Sequence, residues 1–192
     1  MPKATQLAHL LVRSHLLSQP DSHFLAIDAT VGNGFDTLFL AECVGAKGTV
    51  YGFDIQDMQK ASMKALQQGC AERITFFQTG HETMLEHLPY EARGGVRAIM
   101  FNLGYLPHGD RSIVTTPQTT ISALEQSLVL LAPGGILSIT CYPGHAVGNE
   151  ETKSVLSWAS ALPKEECRVL RCHGINQNGI PPELIVVTKF DS

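Results

Sequence analysis

Three acids and a pair of glycines near the start of the chain are spaced to hold a nucleoside. Asp28 closes an apolar run that begins at Phe24; Gly32, Asn33 and Gly34 follow, and Asp36 opens an apolar-periodic stretch with Leu38, Phe39 and Leu40. A strand ending on an acid, a glycine turn and a helix start bring backbone N–H groups close to a ligand. Asp54 ends a second apolar run twenty residues after Gly34, where a carboxylate can accept both hydroxyls of a ribose.

The spacing discriminates between cofactors. A dinucleotide fingerprint reads G-x-G-x-x-G, and the third glycine lets the helix pack against the strand. Here the frame gives Gly32, Gly34 and then Thr37, so that glycine is missing. Asp28, four residues before Gly32, suits the ammonium of a methionine moiety and would repel a pyrophosphate. The expected cofactor is therefore S-adenosyl-L-methionine. Gln56 and His81 lie at the ends of the second and third strands, beside the ribose and the adenine. Each of these residues has a plainer explanation. A Gly-x-Gly turn also serves tight packing, Gln56 can start its helix, His81 can be an exposed loop histidine, and Asp36 can cap the first helix.

A fourth strand tip carries the second signal. Asn102-Leu103-Gly104-Tyr105-Leu106-Pro107 resembles the Asn/Asp-Pro-Pro-Tyr/Phe motif of amino-group methyltransferases. In that motif the Asn oxygen and the next backbone carbonyl accept hydrogen bonds from the target amine and aim its lone pair at the methyl group. Such a reaction needs alignment and a neutral amine more than a strong base. Asn102 is the candidate for orientation and Tyr105 for stacking; Leu103, Gly104 and Pro107 flank the substrate. The plainer alternative is a strand end followed by a Gly-Tyr turn. His108, Arg111 and His145 sit on loops that can roof the pocket, although His108 and Arg111 can equally form a local ion pair with Asp110. His145 and Cys141 are two ligands without a second pair, and no metal is assigned.

Strands alternating with helices must position these tips. Helices are expected over residues 4–17, 36–44, 56–69, 117–131 and 151–161, with strands near 24–29, 49–54, 74–78, 96–101, 136–142, 168–172 and 184–190. The leading helix, within residues 1–20, is amphipathic, and its basic residues read as a solvated face. Pro133-Gly134-Gly135 reads as the turn into the fifth strand, and residues 143–150 as a loop. Alternation implies a doubly wound, mostly parallel sheet. The last two strands are joined only by a turn rich in Asn, Gly and Pro, so they must form an antiparallel hairpin. A seven-stranded Rossmann-like α/β sheet closed this way is the class I S-adenosylmethionine methyltransferase fold.

The 192 residues suit one domain, 1–192, and 44% hydrophobic with 17% charged residues describes an ordinary globular chain. No apolar run approaches the ~18–20 residues of a membrane span. Five cysteines without a C-x-x-C pair suggest reduced thiols in a cytosolic protein. A net charge of −4 argues against extended gripping of nucleic-acid phosphates but permits a local basic patch.

Several blocks together resemble one family. Asp28-Ala-Thr-Val-Gly-Asn-Gly, Gly52-Phe-Asp-Ile-Gln56, Phe101 through Asp110, Ala123-Leu-Glu-Gln126, Tyr142-Pro-Gly-His145, Ile175-Asn-Gln177 and Pro181-Pro182 are similar to a bacterial family labelled "putative rRNA methylase". Its characterised members resemble tRNA 5-aminomethyl-2-thiouridine methyltransferases, the MnmM group. The resemblance implies methylation of the aminomethyl nitrogen of a wobble uridine in the tRNA anticodon loop, giving 5-methylaminomethyl-2-thiouridine, by a cytoplasmic homodimer. It places Asn33, Asp36, Asp54, Gln56 and His81 on the cofactor and residues 102–107 on the substrate. Phe35 and Gly80 depart from the His and Ser common in that family. An rRNA or small-amine methyltransferase, a non-catalytic nucleoside-binding module and an NAD oxidoreductase are the alternatives. Intact acids weigh against the module, and Asp28 with the missing third glycine against the oxidoreductase.

Overall fold

The computed structural model describes residues 3–18, 24–104, 115–144 and 146–190. Seven strands form one sheet in the order β3-β2-β1-β4-β5-β7-β6. They are β1 Leu25–Asp28, β2 Thr49–Phe53, β3 Ile74–Phe77, β4 Val96–Asn102, β5 Leu131–Cys141, β6 Cys167–His173 and β7 Glu183–Lys189. β1 through β5 are mutually parallel where they pair, and β7 lies antiparallel between β5 and β6. The expected hairpin is present, with its second strand inserted beside β5.

Among the described residues six α-helices cover the sheet: α1 Ala4–Leu17, α2 Phe35–Cys43, α3 Gln59–Gln67, α4 Met84–His87, α5 Pro117–Leu130 and α6 Ala146–Ala161. Adjacent strand residues alternate between two cores, as a sheet covered on both faces requires. Ile27, Ile99 and Ile185 join the core that includes Leu124 and Val155; Ala26, Ala98 and Leu184 join the core that includes Val12 and Leu40. α1, the leading helix, buries Ala8, Val12 and Leu16 in the second of these.

Three boundaries differ from those expected by three residues or more. α3 starts at Gln59 because two carboxylates turn the chain first: Asp54 accepts the Gln56 N–H at 2.9 Å and Asp57 accepts the Gln59 N–H at 2.9 Å. β5 starts at Leu131, which pairs with Val96 before an irregularity carries Pro133, Gly134 and Gly135 past the register of β4. α6 begins at Ala146, five residues early. Its Gly148 is buried on the packed face, and Thr152 donates to the Gly148 carbonyl at 2.6 Å, so a glycine that read as loop is a packing residue inside a helix.

Strand order reverses between β1, which pairs with β2, and β4, which pairs with β1 on its other side. A ligand site in such a sheet lies outside the carboxyl ends of the strands at this point. Asp28 and Asn102 are the residues that end those two strands.

Candidate active site

The turn after β1 is held from below. Asp28 is 0% exposed; one carboxylate oxygen accepts the Thr30 N–H at 3.1 Å and the other the Thr37 hydroxyl at 2.5 Å. Burial pushes its carboxyl up to about 7, and the charge of Asp36 adds to this, while the bonds from Thr37 and Thr30 oppose it. Direct contact with a ligand ammonium, expected of Asp28 from the sequence, requires surface that this arrangement does not offer. Asp28 instead joins the strand end to α2 through Thr37.

Above it, Gly34 takes φ +78° and a Cβ there would meet the Ala61 Cβ at 2.7 Å, so the turn lies directly on α3. The Lys64 ammonium donates to the Asn33 carbonyl at 2.8 Å and stands 3.9 Å from the Phe35 ring centroid. Phe35 is 67% exposed. Phe35 therefore makes a cation–π contact with the lysine that holds the turn.

Asp54 closes the turn from the side. One oxygen accepts the Gly32 N–H at 2.7 Å and the other the Gln56 N–H. Each carboxylate oxygen retains a further lone pair, so Asp54 can still accept from a diol. Ile55, 52% exposed beside it, offers an apolar surface that sequence reasoning passed over. Gln56 precedes α3 by three residues and does not start that helix.

His81 is buried, not on an exposed loop. Its Nδ1 is 3.1 Å from the Ala29 carbonyl, and its ring packs against Phe101 with centroids 5.4 Å apart. Burial holds its pKa below the usual histidine value, so the neutral ring donates from Nδ1. Gln126, which the sequence supplied only as part of a family block, donates to the Glu82 carbonyl and accepts the Leu85 N–H at 2.9 Å, fixing the His81 turn against α5. At Gly80 a Cβ would meet the Glu82 carboxylate at 2.3–2.5 Å, a flexible group that has to swing away before a serine fits.

Asp36 lies in the first turn of α2, where Gly34 is the N-cap, and its Oδ1 is 2.6 Å from His9 Nε2 of α1. The capping role is not what occupies it. The charge of Asp36 also reaches Tyr142, whose hydroxyl is pushed up chiefly by burial and partly by Asp36, against an opposing interaction with the Asn102 side chain. Tyr142 therefore feels both Asp36 and Asn102.

Asn102 carries the clearest signal there. Its backbone N–H donates to the Thr30 hydroxyl at 2.7 Å, while its side-chain oxygen Oδ1 is buried and accepts no hydrogen bond among the described residues. Buried polar atoms almost always have partners, and an exception needs an explanation such as a ligand. Leu103 buries its side chain in the core and donates its N–H to the Thr140 carbonyl at 2.9 Å, so neither its side chain nor its N–H is open to a substrate. Gly104 takes φ +117°. Tyr105, Pro107, His108, Arg111 and His145 lie outside the described residues. Thr30, Thr37 and Lys64 were missed; the first two are hydroxyls inside the Asp28–Thr37 block, Lys64 had no local signal, and Tyr142 entered only through the Tyr142–His145 block.

This strand order, with the glycine turn and the acid after β2, defines the class I S-adenosylmethionine methyltransferase fold. Residues 50–188 match the family described as "Putative rRNA methylase", and the chain belongs to that family. It is 36% identical over 200 residues to the chloroplastic tRNA (mnm(5)s(2)U34)-methyltransferase of Arabidopsis thaliana, covering 99% of this chain and 70% of that one. A putative rRNA-methylase from Clostridium thermocellum has a solved structure with 36% identity, 99% of each chain covered and a TM-score of 0.91. The structure of a putative methyltransferase from Streptococcus mutans in complex with SAH matches at 31% identity over 99% of each chain, with a TM-score of 0.84.

Proposed function

We propose that this chain is an S-adenosylmethionine-dependent N-methyltransferase. It acts on the aminomethyl group of wobble 5-aminomethyl-2-thiouridine in tRNA and gives 5-methylaminomethyl-2-thiouridine. The observation that carries the reading is the buried Oδ1 of Asn102 at the tip of β4, which has no hydrogen-bond partner among the described residues. An acceptor with no donor of its own suits an incoming N–H, and the named activity of the Arabidopsis relative supplies an amine of that kind.

The donor set fits the cofactor. Asp54 supplies acceptors for the ribose hydroxyls, Ile55 an apolar surface beside them, and the turn from Gly32 to Gly34 a backbone cradle above Asp28. S-adenosylmethionine brings a methyl group on a sulfonium, which leaves as a neutral thioether. The residues of the chain do the rest. Asn102 Oδ1 accepts an N–H of the amine, which turns the nitrogen lone pair toward the methyl; alignment of this kind is worth orders of magnitude in rate. The new N–C bond leaves a secondary ammonium whose proton passes to solvent. Attack needs the neutral amine, and desolvation favours that form. Tyr142, raised chiefly by burial beside Asn102, reports such surroundings.

The substrate partner is the tRNA anticodon loop, and the enzyme is a cytoplasmic homodimer. Five unpaired cysteines suit a reducing compartment, and Val169 and Leu170 on edge strand β6 are exposed apolar residues that a second copy would cover.

Mass spectrometry of nucleosides tests the reaction. Purified protein and S-adenosylmethionine are incubated with tRNA bearing 5-aminomethyl-2-thiouridine, and a gain of one methyl on that nucleoside is expected. Cofactor binding without that gain would refute the substrate assignment. Light scattering checks the dimer.

A further inference from the structure

Glu151 is 2% exposed on α6. One of its oxygens accepts the Thr120 hydroxyl at 2.6 Å. The other accepts the Thr115 hydroxyl at 2.9 Å, and the Thr115 oxygen in turn accepts the Gly104 N–H at 2.8 Å. The Thr115 N–H donates back to the Gly104 carbonyl at 3.2 Å. Gly104, two residues past Asn102, is thus bonded through both its backbone groups to Thr115, and Thr115 is bonded to Glu151.

A buried carboxylate is a costly way to stitch a core together, since it must be desolvated. What it offers here is acceptance alone. Two hydroxyls each commit their single proton to it, which leaves the lone pairs of Thr115 free for Gly104. A hydroxyl that donates to a charged acceptor is polarised and accepts more strongly at its own oxygen. A glutamine of the same size has one acceptor and one donor, so one threonine would have to reverse and lose a partner for its proton.

We propose that Glu151 is a positioning residue for the reaction: through Thr115 it clamps Gly104, and so fixes where Asn102 presents its side-chain oxygen. This inference rests on the methyltransferase reading of Asn102.

Glu151→Gln, Thr115→Val and Thr120→Val test the clamp on two readouts. Amide exchange at Gly104, followed by NMR on the protein alone, is expected to quicken at least tenfold in the first two and less than twofold in the third. In the first two, kcat on tRNA carrying 5-aminomethyl-2-thiouridine is expected to fall at least tenfold, with the Kd for S-adenosylhomocysteine within twofold of wild type. If Glu151→Gln does not fold, Thr115→Val, which leaves the carboxylate in place, carries both readouts. Unchanged exchange at Gly104 overturns the clamp, whatever turnover shows. Quickened exchange with unaltered kcat overturns the positioning role. A wild-type protein that binds S-adenosylhomocysteine but methylates no such tRNA refutes the substrate reading instead, and Gly104 exchange then decides the clamp by itself.

Discussion

The backbone N–H of Asn102 donates to the Thr30 hydroxyl at 2.7 Å, which ties the tip of β4 to the glycine turn after β1. The cofactor side and the substrate side of the site are joined at the topological switch by that bond. Thr30→Val keeps the shape and removes the acceptor. A part-buried N–H left without a partner costs about 1–3 kcal/mol. A thermal melt should show a loss of several degrees, and kcat should fall further than cofactor affinity. An unchanged melting temperature would mean that the two tips are held together by packing alone.

Asn102→Ala removes the acceptor itself. The side chain makes its proposed contact with the amine and not with the cofactor, so turnover is expected to fall about 100-fold, the scale of a misplaced reacting group. Calorimetric titration with S-adenosylhomocysteine should give a Kd close to wild type. Full turnover with normal cofactor binding would show that Asn102 does not orient the amine.

Asp28 and His81 predict opposite pH slopes. The folded-state pKa of Asp28 is raised to about 7 from an ordinary 3.8, so its contribution to stability is present in acid and is lost as pH rises through 7. For His81 the folded-state value is lowered from 6.5, so its contribution is present above 6.5 and is lost as pH falls. Asp28→Asn removes the first dependence and leaves the second. Melting temperatures of variant and wild type should lie closest near pH 5, and the variant should be relatively more stable near pH 8. A gap of equal size at both pH values would show that Asp28 does not change its protonation across that range.

The signals legible in the sequence were those of local spacing. Asp28, Gly32, Gly34 and Asp54 belong to two strand–turn segments, and the structure brings them together as the strand order requires. The antiparallel end of the sheet was legible because no helix separates β6 from β7. Burial was not. Asp28 and His81 read as ligand-facing groups because nothing local says that Thr37 or the Ala29 carbonyl will meet them first. Contacts carried by distant elements were equally silent: Lys64 reaches Asn33 across 31 positions, and Glu151 reaches Thr115 across 36. The early start of α6 was hidden for a different reason. Gly148 and Asn149 disfavour a helix by propensity, and packing overrides that preference.

Gly34 is where backbone conformation and packing constrain the site together. Its φ of +78° costs an ordinary residue about 1–2 kcal/mol. An added Cβ would also stand 2.7 Å from the Ala61 Cβ and 3.0 Å from its Cα, which forces α2 and α3 apart at about 1–3 kcal/mol more. Gly34→Ala is expected to destabilise the protein by about 2–5 kcal/mol in denaturant unfolding and to weaken cofactor binding, because the turn rides on α3 through Lys64 as well. Ala61→Gly separates the two costs. By itself it loses about 1 kcal/mol of helix propensity. Combined with Gly34→Ala it relieves the Cβ contact, so the double variant should be more stable than the sum of the single losses by about 1 kcal/mol. Strict additivity would place the whole penalty in the positive φ and none in the approach of α3.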